Sequence, residues 1–550
     1  MNKIKTPKDL YDIVNINNLK ELVDYSTSTY KNNIAFKFKN LTDGTISSVT
    51  YEKFGKDVNS LGTKLLDLGL KNKKIAIIGN NSYEWCVSYL SVVCGTGVVV
   101  PIDKALPKTE IENLLKLSDS ECILFDKKHS EIIKQIKNDN LTNLKYFICF
   151  DSDEKDMLSF YSLISSGQNL LDNGNTDFSD AKINNDEMSI MLFTSGTTSL
   201  SKAVMLSHTN ICSNIMGLSS VLKYYPDDIL LSFLPIHHTF ECTVTFLTGI
   251  YSGSCLAICE GLRFIAQNLT DYKVSVFITV PLVLENMYKK IQMANESSNG
   301  TLSNEDVLKF LGGHLRLALV GAAPLNKDVI IGYNNFGIKT FQGYGLTETS
   351  PVLSLENDKA SKPGSIGLAL PNVEIEIDNP DENGLGEIKA KGPNLMLGYY
   401  KNEDATNEVI IDGWFHTGDL GYIDENGFLF ITGRKKNVIV LKNGKNIFPE
   451  EIEVSLNLSP YVSESFVYGI TAKDGDLKLH AKIIYNKDYI LKNHGDISED
   501  EINEIISTIV KEINKTLPLY KLVRSFSISD EALTKTTTGK IKRYEEMKKI

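Results

Sequence analysis

Apolar residues in this chain come mostly as short unbroken runs rather than in strict alternation. The stretch Lys73–Asp103, KKIAIIGNNSYEWCVSYLSVVCGTGVVVPID, gives a short apolar strand, a turn, a helix, a glycine break and a second apolar strand. That is one βαβ unit, and strands without polar alternation are expected where both faces of a sheet are covered. ECILFD from Glu121 and YFICFD from Tyr146 add further strands, separated by the Lys-rich KKHSEIIKQIKNDN. The same alternation recurs at DILLSFLPI, GSCLAICE, VSVFITVP and RLALVGAAP. The pattern predicts an α/β fold with mostly parallel sheets.

Near residue 364 the texture changes. GSIGLALPNVEIEIDNPDENGLGEIKAKGPNLMLGYY is rich in Gly and Pro and predicts a β-rich subdomain over about 364–433. A basic lead-in, GRKKN, then starts a new unit with a strand, a turn at Asn443–Gly444 and a helix opening at Pro449. SESFVYGI and KLHAKIIY follow as strands, and EDEINEIISTIVKEIN has the spacing of an amphipathic helix. The expected organisation is a large N-terminal domain over 1–433 and a small α+β domain over 434–550. The apolar run Trp85–Ile102 is broken by Ser, Gly and Thr, so it predicts a buried helix entering a strand and not a membrane span.

Composition narrows the field. The chain has 550 residues, 42% hydrophobic and 23% charged, as in soluble globular proteins. A formal net charge of -11 argues against a nucleic-acid binder, though one local pocket can still be positive. Eight cysteines without a C-x-x-C pair suggest free thiols in a reducing compartment. The start, MNKIKTPKDLYDIVNINN, lacks the features of a secretory signal, so a cytoplasmic location is expected, with peripheral membrane contact left open.

The candidate chemistry begins at LFTSGTTSLSKAVMLSH, Leu192–His208. An apolar strand precedes it and a helical segment, SHTNICSNIMGLSS, follows, so the sequence predicts a strand-to-helix loop, a natural anion cradle. Thr194, Ser195, Thr197 and Thr198 offer hydroxyls, Gly196 admits close backbone approach and Lys202 adds a charge. A solvated polar turn is the ordinary alternative. The loop resembles the T-S-G-T-T-G-x-P-K-G signature of the adenylate-forming superfamily of acyl-CoA synthetases, luciferases and peptide-synthetase adenylation domains. It departs from it at Ser199, Ser201 and Ala203.

Further motifs of that superfamily follow in order. LPIHHTFE resembles the segment whose second histidine, here His238, lies near the acyl site. VGAAPL supplies Gly321, Ala322 and Ala323, and QGYGLTETSP supplies Gln342, Gly343, Tyr344, Gly345, Thr347 and Glu348. The resemblance implies that Tyr344 stacks on adenine, Thr347 meets phosphate and Glu348 holds Mg²⁺, with Thr194 a secondary ligand. In WFHTGDLGYIDENGFLFITGRKKN it implies that Asp419 binds the ribose hydroxyls with help from Arg434, and it puts Lys436 at a hinge. LTKTTTGKIKR resembles the C-terminal motif carrying the catalytic lysine, here Lys540, with Thr534 in place of a proline. The implied catalytic set is Lys540, Glu348, Thr194, Lys202 and His238.

The resemblance implies two half-reactions. A carboxylate attacks the α-phosphate of Mg²⁺·ATP, giving acyl-AMP and pyrophosphate, and coenzyme A then takes the acyl group. Short-acid members carry Trp where this chain has Gly345, which implies an open pocket floored by that glycine and a medium- or long-chain fatty acid. The alternatives are delivery to a carrier protein, an aryl acid substrate and a catalytically silent nucleotide-binding scaffold.

Overall fold

The computed structural model describes residues 4–40, 43–151, 156–194, 202–298, 300, 302–441, 446–471, 477–536 and 539–550. Two large sheets dominate. In one, strands run in the order Gly398–Tyr399, Lys202–Ser207, Met188–Thr194, Gly97–Ile102, Lys73–Ile78, Cys122–Phe125, Tyr146–Cys149, Leu158–Ser159. From Met188–Thr194 onward each neighbouring pair is parallel. The second sheet runs Leu368–Ala369, Val352–Leu355, Lys339–Gly345, Leu317–Val320, Val276–Thr279, Ile229–Ser232, Cys255–Ile258, Ile34–Lys39, Ile46–Thr50. It too is parallel through its middle.

The unbroken apolar runs have a direct cause. In the first sheet Ile75, Ile77, Val99, Leu124 and Ile190 face a core shared with the second sheet. Their neighbours Ala76, Ile78, Val100, Ile123 and Met191 face a separate core on the outer side. The second sheet does likewise, with Leu230, Leu256, Ile278 and Leu319 inside and Leu231, Ala257, Phe277 and Ala318 outside. Helices Tyr51–Asp67, Tyr83–Ser91 and His208–Val221 contribute Phe54, Trp85 and Ile215 to the shared core. Each buried aliphatic side chain there contributes about 1.5–3 kcal/mol of transfer free energy. The run Trp85–Ile102 is helix, a π-turn over Val92–Thr96 and a strand, all largely buried. Among the described residues, no helix is long and apolar enough to cross a membrane.

One expectation fails. The helix expected at SHTNICSNIMGLSS is there, at His208–Val221, but Lys202–Ser207 before it is a strand, antiparallel to Met188–Thr194, and not part of a strand-to-helix loop. The loop after Thr194 therefore joins two strands as a hairpin. AVML is an apolar run on a strand between two partners, and its adjacency to the helical pattern after His208 hid the break.

A third sheet pairs Glu374–Asp378, Gly386–Lys391, Trp414–Ile423 and Ile410–Ile411, with Leu429–Arg434 also on Trp414–Ile423. Leu368–Ala369 and Gly398–Tyr399 join the two large sheets instead. Beyond Arg434 come a two-stranded ladder, Ile439–Val440 with Asn446–Ile447, and a three-stranded sheet, Val462–Thr471, Leu477–Tyr485, Val523–Ser529. Helix Glu499–Thr516 buries Ile502, Ile506 and Val510 and opens with a Ser498–Glu501 capping box. Lys289, on helix Pro281–Ser297, donates to the carbonyls of Asn457 (2.8 Å) and Ser459 (3.3 Å) at the end of helix Pro449–Asn457.

The C-terminal tail is held by a buried carboxylate. Glu546 is inaccessible and accepts from Thr534 N (2.9 Å), Lys549 Nζ (2.7 Å) and Lys482 Nζ (3.1 Å). Arg543 reaches Glu450, Glu453 and the Val467 carbonyl. Burial alone would raise the Glu546 carboxyl, but the bonds from Lys549, Thr534 and Lys482 hold it down at about 2. Its folded value thus lies below its ordinary one of 4.5. The unfolded chain takes the proton first, so this stabilisation is full above pH 4.5 and is lost as pH falls toward 2. Glu546→Gln is expected to destabilise the protein by about 1.5–3 kcal/mol at neutral pH, with the difference from the parent shrinking in acid. Denaturant unfolding of both proteins across pH measures it; a difference that does not change with pH contradicts the ionic role.

Candidate active site

The best-defined part of the site is a cross-strand pair. Asp419 and Arg434 sit opposite each other on the antiparallel strands Trp414–Ile423 and Leu429–Arg434. A turn closed by Asp424, with Gly427 at φ +84°, sets that register. Arg434 Nε lies 2.9 Å from Asp419 Oδ1, and the Tyr344 hydroxyl donates to Oδ2 at 2.7 Å. Asp419 is 4% exposed. A buried carboxylate held from two sides retains lone pairs that can accept from a ligand diol.

Lys540 comes to the same place from the tail. Residues 534–536 and 540–542 pair back on one another: Lys535 bridges Ile541, Thr536 N donates to Lys540 O (2.8 Å) and Lys542 N to Thr534 O (2.8 Å). Gly539 takes φ +82°, the left-handed geometry that glycine reaches without strain. Lys540 is exposed as a residue, and its ammonium lies within electrostatic reach of Arg434, Asp419 and Glu348. Burial and the neighbouring Arg434 push it below the usual lysine range, against the pull of Asp419 and Glu348. Lys436 is pushed down to about 8 by burial and by Arg434, Lys540 and Lys202, with Asp419 opposing. Lys202, Arg434, Lys436 and Lys540 therefore share one electrostatic environment with Asp419 and Glu348.

Glu348 lies in the short 3₁₀ turn Thr347–Thr349, which follows the strand Lys339–Gly345. Thr347 opens that turn. Tyr399 donates its hydroxyl to Glu348 Oε1 at 2.9 Å, and Lys202 Nζ sits 4.7 Å from the centre of the Tyr399 ring. Thr194 ends its strand opposite Lys202, 3.4 Å from the Lys202 carbonyl. Ser195, Gly196, Thr197 and Thr198, with Ser199 and Ser201, lie outside the described residues. Sequence reasoning missed Tyr399; the signal available was its place in GPNLMLGYY.

His238 lies ahead of the π-helical turn Phe240–Leu247. Its Nδ1 is buried without a partner. Burial, with His237 and Lys540, pushes its ring down to about 3, so the imidazole is neutral at ordinary pH. His237 pairs with Asp103 at 3.6 Å. A Cβ on Gly321 would stand 2.8 Å from the Phe240 ring, which brings the VGAAPL and HHTFE segments into close contact. Ala322 holds φ +73°, uncommon for a non-glycine residue, and Ala323 is exposed. The Gln342 side chain accepts from Leu325 N (3.0 Å), so its oxygen shapes this loop. A Cβ on Gly343 would meet Leu355 at 3.0 Å.

Gly345 bears on a second expectation. A Cβ there would lie 1.7 Å from the Pro351 carbonyl oxygen and 3.0 Å from Val352 Cα. Gly345 pairs with Val352 across an antiparallel bulge, so the direction a side chain would take is filled by backbone. The close backbone thus gives this position its own reason to be glycine, apart from any role in opening a pocket. A motif comparison sees the missing side chain but not the neighbouring strand that excludes it.

Two doubly covered parallel sheets frame a buried carboxylate–arginine pair beside an aromatic ring. The family model described as AMP-binding enzyme matches residues 23–400. Long-chain-fatty-acid–CoA ligase 5 of Rattus norvegicus is 30% identical over 473 residues, 76% of this chain and 69% of the relative. 4-Coumarate:CoA ligase 1 of Petunia hybrida is 28% identical over 524 residues, 90% and 87% of the two chains. The crystal structure of the anthranilate CoA ligase AuaEII in complex with anthranoyl-AMP superposes with a TM-score of 0.80 at 19% identity, covering 99% of this chain and 98% of that one. The chain belongs to the AMP-binding enzyme family and is an AMP-forming ligase.

Gly345→Ala is expected to lower activity toward short and long acids by the same factor, because it displaces the Pro351–Val352 backbone. Comparing kcat/KM across an acid series checks it; selective loss of long acids restores Gly345 to the pocket.

Proposed function

We propose that this protein joins a medium- or long-chain fatty acid to coenzyme A through an acyl-AMP intermediate. The observation that best supports the reading is the Asp419–Arg434–Tyr344 cluster, with Lys540 within its electrostatic reach. In the first half-reaction the acid carboxylate attacks the α-phosphate of ATP, and the bond from that phosphorus to the bridging oxygen breaks to release pyrophosphate. Two anions must meet, so Lys540 supplies positive charge where negative charge gathers. Asp419, oriented by Arg434, accepts from the ribose hydroxyls. Tyr344 lies against the adenine, and Thr347, Lys202 and the loop 194–198 hold the phosphates. In the second half-reaction the thiol attacks the acyl carbonyl and AMP leaves.

A Mg²⁺ ion suits the donor set. Glu348 offers a hard carboxylate oxygen, with Thr194 as a secondary ligand, and Mg²⁺ sites in nucleotide enzymes combine one or two carboxylates with substrate phosphates and water. Among the described residues no group of three or more His, Cys, Asp and Glu side chains could hold a metal without substrate. When bound, the ion would neutralise phosphate charge.

The neutral His238 and the Phe240–Gly321 contact put uncharged surface on the acid side of the site. That favours an apolar acyl group. An aryl acid is the second reading, favoured by the coverage of the 4-coumarate ligase and by the anthranilate ligase fold. The eight free cysteines, seven of them buried, fit a reducing compartment and a cytoplasmic enzyme.

Pyrophosphate release against a panel of carboxylic acids, with and without coenzyme A, tests the proposal. Release with fatty acids of eight carbons or more, and thioester formed only with coenzyme A, is the expected result. Preference for aryl acids selects the second reading. Acyl-AMP that coenzyme A does not consume points to a carrier-protein acceptor, and no release with any acid rejects the function.

A further inference from the structure

Tyr399 has contacts that its position in the fold does not require. The segment Met396–Tyr400 ties two parts of the site together through its backbone. Met396 N donates to the Glu348 carbonyl at 2.8 Å, while Leu397 N and Tyr400 N donate to the carbonyls of Met205 (2.9 Å) and Ala203 (2.8 Å). Gly398 and Tyr399 thereby pair with Met205 and Val204, just beyond Lys202. Tyr399 repeats the same bridge with its side chain, hydroxyl on Glu348 and ring beneath Lys202. It is 5% exposed, and Thr406 Oγ1 holds its N–H at 2.9 Å. Phenylalanine would fill the same space, and among the described residues the hydroxyl's partner is Glu348.

We propose that Tyr399 is a positioning residue that couples the phosphate-side cation Lys202 to the carboxylate of Glu348. The inference rests on the proposed function, in which Lys202 faces the triphosphate and Glu348 the divalent cation. A hydroxyl on one carboxylate oxygen restricts how Glu348 can turn. The ring face restrains the Lys202 ammonium, which otherwise moves on a flexible four-carbon stem. One rigid side chain with two rotatable bonds thus sets the spacing between two groups that must act on the same triphosphate.

Two substitutions separate the two contacts. Tyr399→Phe removes the hydroxyl and keeps the ring; Tyr399→Leu removes both. Calorimetry reads the affinity of the full-length protein for ATP across a Mg²⁺ titration, and for AMP, which lacks the outer phosphates. The phenylalanine variant is expected to need about three- to tenfold more Mg²⁺ for half-maximal tightening of ATP binding, with metal-free ATP and AMP affinities within about twofold of the parent. The leucine variant is expected to bind ATP about three- to tenfold more weakly even without Mg²⁺, again sparing AMP. An unchanged Mg²⁺ dependence in Tyr399→Phe overturns the proposal, and so does an equal loss of AMP and ATP binding in either variant. If the leucine variant does not fold, the phenylalanine variant decides alone. A parent protein that binds neither nucleotide would instead reject the proposed function.

Discussion

The site is organised by an excess of positive charge. Four cations, Lys202, Arg434, Lys436 and Lys540, share one electrostatic environment in which Asp419 and Glu348 are the opposing carboxylates among the described residues. Burial first, and the neighbouring cations second, push Lys436 down to about 8 and lower Lys540 as well. A crowded set of like charges in partly desolvated surroundings is unfavourable until an anion enters, and under the proposed function that anion is a triphosphate. The excess persists on a chain whose net charge is -11, so it is local and built by the fold.

Each cation reaches the site by a different route. Lys202 stands at the foot of a strand hairpin, Arg434 on a strand whose register is set by the Asp424 turn, and Lys540 on a doubled-back tail anchored by Glu546 and Arg543. These supports differ in how readily they could move. Arg434 and Lys202 are tied into sheets that share an apolar core. The lysine at 540 depends on the tail's own packing and on contacts such as Lys289 with the end of the helix Pro449–Asn457.

Much of this was legible in the sequence, for physical reasons that can be named. Apolar runs such as IAII and CILF could only be strands covered on both faces, and they are. Asp419 and Arg434 were recognisable because the T-G-D and T-G-R-K-K segments that carry them resemble signatures of the adenylate-forming superfamily. What stayed hidden depends on partners distant in the chain. The strand after Lys202 merges with a helical pattern in one dimension and separates from it only through pairing with residues 188–194 and 398–399. Gly345 looked like space because its neighbour, the Pro351 carbonyl, is brought against it by an antiparallel bulge. Tyr399 and Glu546 belong to no motif of their own; burial and convergent donors single them out.

The central claim is that Lys540 occupies the site to neutralise charge as acyl-AMP forms. The two half-reactions of Lys540→Ala test it most directly. The account predicts that acyl-AMP formation from ATP and acid falls by a factor on the order of a hundred or more, while thioester formation from acyl-AMP supplied ready-made stays within about threefold of the parent. Equal losses in both half-reactions would contradict it, because the lysine would then serve the whole site and not the step in which two anions meet.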